Sequence, residues 1–300
     1  MAKIQERISF YDQISRNKRN SVFLIIIVAL VLIALIYIIG FVIGYDIFII
    51  SIIAVIFSLS YVLIGYYNSD KIAIASVNAK PANRNQYRQY YDSVEGLTLA
   101  SGIPMPRLYV LENSQINAFA TGKDPKHAVI CVTTGALEKL SKQELEGVIS
   151  HELSHVANYD IRFMTLVAVL VGMIAIISQI FLRSLWFRGG DRDRNNKNTI
   201  LMLIGIALAI IAPILVKLVE LAISRKREYA ADASAVKFTR SPTGLIGALR
   251  KIKNESGVER KNMSKVSAPL FISDPFKRKI SGLFSTHPPL DDRIRILERM

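Results

Sequence analysis

Between Asn20 and Tyr45 the chain carries no charged side chain, and beyond Asp46 a second uncharged run extends from Ile47 to Ser69. A helix crosses a hydrocarbon core with about 20 apolar residues, so each run is long enough to span. The very short turn at Asp46 joins them as a helical hairpin. The first run is too long for an ordinary removable signal peptide, and no clear cleavage site follows it. Lys3, Arg7, Arg16, Lys18 and Arg19 precede it, which places the N-terminus in the cytoplasm by the positive-inside tendency. Two crossings return the chain to that side near Asp70. A mean hydropathy of +0.32 over 300 residues fits lipid-facing surface better than a soluble domain.

The net charge of +14 raises the question of nucleic acid. Aromatic and basic residues are not interleaved and no nucleic-acid module is present, so no such partner is expected. Positive charge beside apolar spans is attracted to anionic headgroups, and membrane lipid is the expected partner. The one cysteine, Cys131, excludes an internal disulfide framework and is compatible with a reducing compartment. Within the apolar run Ala128–Val132 it reads as a small buried hydrophobe.

From Lys71 to Arg162 the composition is that of a soluble domain. Gln86–Ala100 reads as a helix; Arg107–Glu112, Ile116–Thr121 and His127–Thr133 read as short strands, the last two separated by a polar turn. Ser141-Lys142-Gln143-Glu144 fits a capping box that opens a helix with Leu145, Val148 and Ile149 on one face. This helix is expected to run through His155 into a third uncharged run, Phe163–Leu182. A basic stretch (Arg183–Asn198) and a fourth apolar run, Thr199–Val216, follow. Lys253–Lys279 is polar and rich in breakers. The chain thus divides into an N-terminal hairpin (1–69), a first catalytic segment (70–162), a second hairpin (163–223) and a second catalytic segment (224–300).

The chemistry centres on His151-Glu152-Leu153-Ser154-His155. Positions four apart share a helix face, so both imidazoles reach one metal ion. Zinc suits them, because it accepts neutral imidazole and keeps a position open for water when three protein ligands bind. Glu152 is placed to take a proton from that water. A third ligand is needed. Asn158 and Ile161 stand where a metzincin has glycine and histidine, which excludes that subclass. Glu228, in Arg227-Glu228-Tyr229-Ala230-Ala231-Asp232, is the candidate. Asp232 shares its face and would hold a ligand histidine by the other ring nitrogen. The plainer reading of the two is a solvated acidic pair among Arg225, Lys226 and Arg227. Two apolar runs separate His155 from Glu228. Read as a full hairpin or as a shallower pair, with two crossings or none, they leave both residues on one side of the membrane. The basic loop between the runs is disfavoured on the outer side. Asp160 reads either as a further support for a ligand or as the polar end of the helix, and His127 as structural.

HELSH at 151–155, EYAAD at 228–232, NAFATG at 117–122 and HPPLDDRI at 287–294 occur in an order that resembles the HtpX family of membrane zinc metalloproteases, related to the CAAX prenyl proteases. The resemblance spans nearly the whole chain. It implies one zinc ion per chain on His151, His155 and Glu228, with Glu152 as general base. It implies that Asn117, Ala118, Phe119 and Ala120 form an edge strand along which substrate backbone pairs; an interior strand is the alternative. It implies that His287 donates a hydrogen bond to the oxyanion and that Arg293 organises the site. Without it, Pro288-Pro289 is a rigid entry to a last helix whose first turn Asp291 and Asp292 favour. The expected fold is an α-rich membrane protein, with a zincin-like α+β domain holding a small sheet and about four transmembrane helices. The expected substrates are membrane or membrane-adjacent polypeptides, and the resemblance alone implies that they are cleaved in protein quality control. A prenyl-peptide protease and a zinc-binding scaffold are the rival readings. An intact Glu152 disfavours the scaffold, since a structural site needs no base.

Overall fold

The computed structural model describes residues 10–43, 46–167, 225–255 and 288–300. The two uncharged runs are helices α1 (Phe10–Ile43) and α2 (Ile47–Tyr67), packed on each other. Both are long and apolar enough to cross a membrane. Asp46, the one charge between the runs, caps α2: its carboxylate accepts the N–H groups of Phe48 and Ile49, satisfying donors that the first turn leaves unpaired. The third apolar run lies within the described residues only as far as Val167. Helical residues 160–167 bring Phe163, Leu166 and Val167 against Leu24, Val28, Leu32 and Val62. Most of the third run, the whole fourth run and positions 256–279 lie outside the described residues.

Beyond α2 the chain turns at once into α3 (Ser69–Val77), closed by Asn78 in the left-handed conformation at φ 55°. Four strands follow in the order β1-β2-β4-β3: β1 (Lys80–Pro81), β2 (Arg107–Leu111), β3 (Ala118–Thr121) and β4 (Val129–Thr133). β2 and β4 are parallel, and the outer pairs are antiparallel. Alternation sorts the side chains onto two faces. Leu108, Val110, Ala118, Ala120, Ile130 and Val132 join the main core. Phe119, Val129 and Cys131 meet Ala73 and Ile74 of α3 on the other face. Asp70 and Arg107 form an ion pair that fixes α3 to β2.

The main core is completed by α4 (Arg88–Ser101), α5 (Thr134–Lys139), α6 (Lys142–Ala157), α7 (Arg225–Thr239), α8 (Thr243–Glu255) and α9 (Leu290–Leu297). The capping box at Ser141 and Glu144 is present. The strands and α4 lie where the residue pattern puts them; α3, β1, α5 and α8 are additional, and α8 takes in positions 253–255 at the start of the breaker-rich stretch. One expectation needs correction. α6 does not continue into the third run: it ends at Ala157, Asn158 caps it, and Tyr159 turns left-handed at φ 58° before a new helix starts at Asp160. No glycine or proline marks that break.

α6 and α8 cross with almost no separation at Gly147, where a Cβ would lie 2.5 Å from the Leu245 backbone nitrogen. Gly147→Ala is expected to destabilise by about 1–3 kcal/mol through overpacking. Gly96→Ala in α4, where a Cβ meets nothing within 4 Å, is expected to stabilise by about 0.5–1 kcal/mol through helix propensity. Thermal unfolding of the two variants in detergent checks both signs.

Candidate metal centre

From Leu145 to Val156, α6 is buried on nearly every side. Leu145, Val148, Ile149, Leu153 and Val156 belong to the main core, while His151, Glu152 and His155 are buried beside α7. The buried stripe of α7 is Glu228, Ala231, Asp232 and Ala235, one helix face by spacing. The two alanines let the helices approach closely enough for both carboxylates to reach the histidines.

His151 Nε2 lies 3.7 Å from one Glu228 oxygen, and His155 Nε2 lies 3.6 Å from the other. These gaps are too long for hydrogen bonds. They fit ligands sharing a tetrahedral ion, whose metal bonds of about 2.0–2.2 Å put neighbouring donors about 3.3–3.5 Å apart. One donor atom from each of the three residues lies within 4.8 Å of the others. His151 Nε2 is buried and has no hydrogen-bond partner, an arrangement that costs about 1–3 kcal/mol if left unsatisfied and that a metal bond would satisfy.

The opposite ring nitrogens are held by carboxylates. His151 Nδ1–H donates to Asp232 at 2.9 Å, and His155 Nδ1–H donates to Asp160 at 3.0 Å. Arg293 of α9, fully buried, grips Asp232 as a fork, Nε to Oδ2 at 2.9 Å and Nη2 to Oδ1 at 2.6 Å. Asp160 in turn accepts a hydrogen bond from Asn17 Nδ2 of α1 at 2.6 Å, and Arg227 Nε stands 3.9 Å away. Asn17 and Arg227 are contributors that the residue pattern did not single out. A polar amide just ahead of an apolar run reads as flank, and an arginine in a basic triplet reads as solvated. His287 lies outside the described residues.

Charge decides what the pocket can hold. Glu152, Asp160, Glu228 and Asp232 are all buried, against the guanidiniums of Arg293 and, largely covered, Arg227. With neutral imidazoles the carboxylates are in excess among the described residues, and a divalent cation offsets that excess. Protons do so otherwise. Burial and Arg293 push the His151 imidazole down, but Asp232 and Glu228 outweigh them and lift it to about 9. Burial likewise opposes the charge on His155, and Asp160 and Glu228 raise its pKa nonetheless. Burial pushes the Asp232 carboxyl up, yet Arg293 and His151 hold it well below the usual carboxylate range.

β3 is the sheet edge next to α6. Thr133 N–H donates to the Asn117 carbonyl, so residues 117, 119 and 121 turn their backbone groups towards β4, and 118 and 120 turn theirs outward. The Ala118 N–H is taken by the Asn117 side chain, the Ile116 N–H by Glu255 and the Gly122 N–H by Thr165. The Ala120 N–H and the Ala118 and Ala120 carbonyls face away from β4.

Residues 82–300 match the model of peptidase family M48. The chain belongs to that family. A protease HtpX homolog of Thermoanaerobacter pseudethanolicus is 44% identical over 298 residues, 98% of this chain and 99% of the relative. Those of Caldanaerobacter subterraneus subsp. tengcongensis and Lactobacillus helveticus are 44% and 40% identical, each over 97% of this chain and over 98% and 99% of the relative. A solved structure, S. mikatae Ste24p, aligns over 80% of this chain and 58% of its own at 19% identity and a TM-score of 0.47. This M48 chain is a membrane metalloprotease, helix-rich with a small mixed sheet.

Because a metal takes neutral imidazole, uptake by the metal-free M48 chain displaces the His151 proton. Zinc titration at pH 7 in buffers of different ionisation enthalpy is expected to show release of at least one proton per ion. Apparent affinity should rise with pH as far as about 9, the His151 value. Uptake without proton release would refute this charge assignment.

Proposed function

We propose that the chain is a zinc endopeptidase of the cell membrane, its active site facing the cytoplasm, that cleaves membrane or membrane-adjacent polypeptides in protein quality control. The observation that carries the reading is the convergence of two imidazole nitrogens and a carboxylate on one point, buried among further carboxylates. Two ligands from α6 and one from α7 leave a coordination position for water, the arrangement of a catalytic rather than a structural zinc site. Soft thiolate ligands are absent from the cluster, and imidazole with carboxylate suits zinc. In the proposed topology the runs 163–182 and 199–216 form a second hairpin. Four crossings then return both catalytic segments, 70–162 and 224–300, to one face of the membrane.

Bound on His151, His155 and Glu228, zinc supplies Lewis acidity toward the scissile carbonyl and the attacking water. The chain's own groups do the rest. Glu152 takes the water's proton and returns it to the leaving amine. Asp232 and Asp160 keep each imidazole in the tautomer that points Nε2 at the ion, and Arg293 keeps Asp232 charged and oriented. His287 donates to the oxyanion as it develops. Substrate pairs as an extra strand on β3 through Ala118 and Ala120, while Asn117 and Phe119 hold that strand to β4.

Purified protein in detergent is expected to hold one zinc and to cleave casein. In Glu152→Gln the zinc should stay while kcat drops by about 10²–10⁴-fold, the usual worth of a positioned base. Zinc-loaded native protein that cleaves neither casein nor itself would sink the protease reading of this site. Ala120→Pro tests the edge separately. Its ring removes an N–H that faces away from β4 and so spares the ladder. Loss of one substrate hydrogen bond, about 1–1.5 kcal/mol, should lower kcat/KM about tenfold with zinc content unchanged.

A further inference from the structure

We propose that Asn17, on the first membrane helix, is a positioning residue for the metal ligand His155, so that the seating of the N-terminal hairpin sets the geometry of the metal centre. The inference rests on the metal reading above and extends it to a residue far from the motifs in sequence.

The Asn17 side chain is buried at 3% exposure. A carboxamide has two N–H donors, and Asn17 commits both. One goes to Asp160 Oδ1 at 2.6 Å and the other to the Asn158 carbonyl at 2.9 Å. Asp160 is itself buried, and its second oxygen takes His155 Nδ1–H at 3.0 Å. A continuous line of hydrogen bonds therefore runs from α1 through a carboxylate to a ligand imidazole. The same amide fixes the break between α6 and the next helix, where Tyr159 stands at φ 58°, a conformation that non-glycine residues rarely keep without support. Lys18 stacks over the Tyr159 ring at 4.4 Å, so consecutive residues of α1 hold consecutive residues of the break.

What places Asn17 is the membrane bundle. Leu24, Val28 and Leu32 of α1 pack against Phe163, Leu166 and Val167, whereas the Ser21 hydroxyl bonds the Asn17 carbonyl only within the helix. A slip of α1 by one residue would raise Asn17 by about 1.5 Å and rotate it by about 100°, breaking both bonds. Arg227, at 3.9 Å from the same Asp160 oxygen, is too distant to replace a hydrogen bond. The carboxylate would then be free to turn, and His155 would lose its fixed tautomer.

The test uses the full chain in lipid nanodiscs and reads the metal rather than catalysis. Zinc affinity by chelator competition and the visible spectrum of the cobalt-loaded protein are compared for native protein, Asn17→Ala, Asn17→Asp, Asp160→Ala, Asn17→Ala/Asp160→Ala and Ser21→Ala. Partners that orient a ligand commonly contribute 10–100-fold in metal affinity. Asn17→Ala, one step further out, is expected to weaken zinc about tenfold and to shift the cobalt bands. Asn17→Asp keeps the size but replaces the donors by a carboxylate that repels Asp160, and it should weaken zinc at least as much, which decides the matter if the alanine variant folds poorly. Ser21→Ala, whose bond stays within α1, should bind as the native chain does. In the Asp160→Ala background, removing Asn17 should have no further effect. Native affinity and spectrum in both Asn17 variants, or losses that simply add in the double variant, would overturn the proposal while leaving the metal reading intact. A native chain that takes up neither metal overturns both.

Discussion

Four carboxylates buried around two imidazoles form the interaction on which the rest of the architecture depends. An ionised carboxylate taken out of water without partners is too costly to persist, so each must meet a donor or a cation. Those partners come from remote segments. Arg293 arrives on the last helix, Glu228 and Asp232 on α7, Asp160 just beyond the end of α6, and Asn17 on the first membrane helix. The pocket therefore assembles only when both halves of the chain and the hairpin are in place. It also explains why an arginine is fully buried in so small a helix: in the fork with Asp232 it satisfies a carboxylate that would otherwise be stranded against His151.

The hairpin is more than an anchor on this view. The start of α1, the end of α2 and the start of the 160–167 helix lie at one end of the bundle, and cations sit over aromatic rings there. Lys18 covers Tyr159, Arg162 covers Tyr66 and Lys123 covers Tyr67. Tyrosine and basic side chains are the residues that favour a membrane–water boundary, and here they also bridge the catalytic segment to the helices. α3 extends the same connection. It leaves α2 after a single residue, lies on the outer face of the sheet and is fixed by Asp70 to Arg107. Sheet, α6 and the apolar helices are thus tied together by these contacts.

The parts legible in the sequence are those governed by local rules. The first two uncharged runs give helices long and apolar enough to cross a membrane, Ser141 and Glu144 give a capped start, and histidines four apart give one face. The break at Tyr159 was not legible, because it uses no glycine or proline and is held by Asn17, whose distance along the chain no periodicity reveals. α3 was hidden because the second apolar run passes into it without a breaker. Glu228 was legible as the candidate third ligand despite its neighbours Arg225, Lys226 and Arg227, and the packing of Ala231 and Ala235 against α6 is what turns it inward beside the histidines. Arg293 could be suspected from its motif, but its fork on Asp232 is a tertiary fact.

Burial at the centre also bears on what the enzyme can cut. The candidate ligands and Glu152 are almost wholly covered, as are the residues of the four-residue edge strand β3 proposed to pair with substrate. A folded domain cannot present its backbone to such an edge, since its own strands and helices already use those groups. An extended segment one strand wide can. On the proposed reading, the selection is therefore for chain that has lost or never gained its structure, made by main-chain hydrogen bonds that are indifferent to side-chain identity. In that proposal, the ties of Asn17 and Thr165 from the end of α6 and of β3 to the helical bundle would hold the selection close to the bilayer. A loose specificity confined to one place is what such geometry delivers.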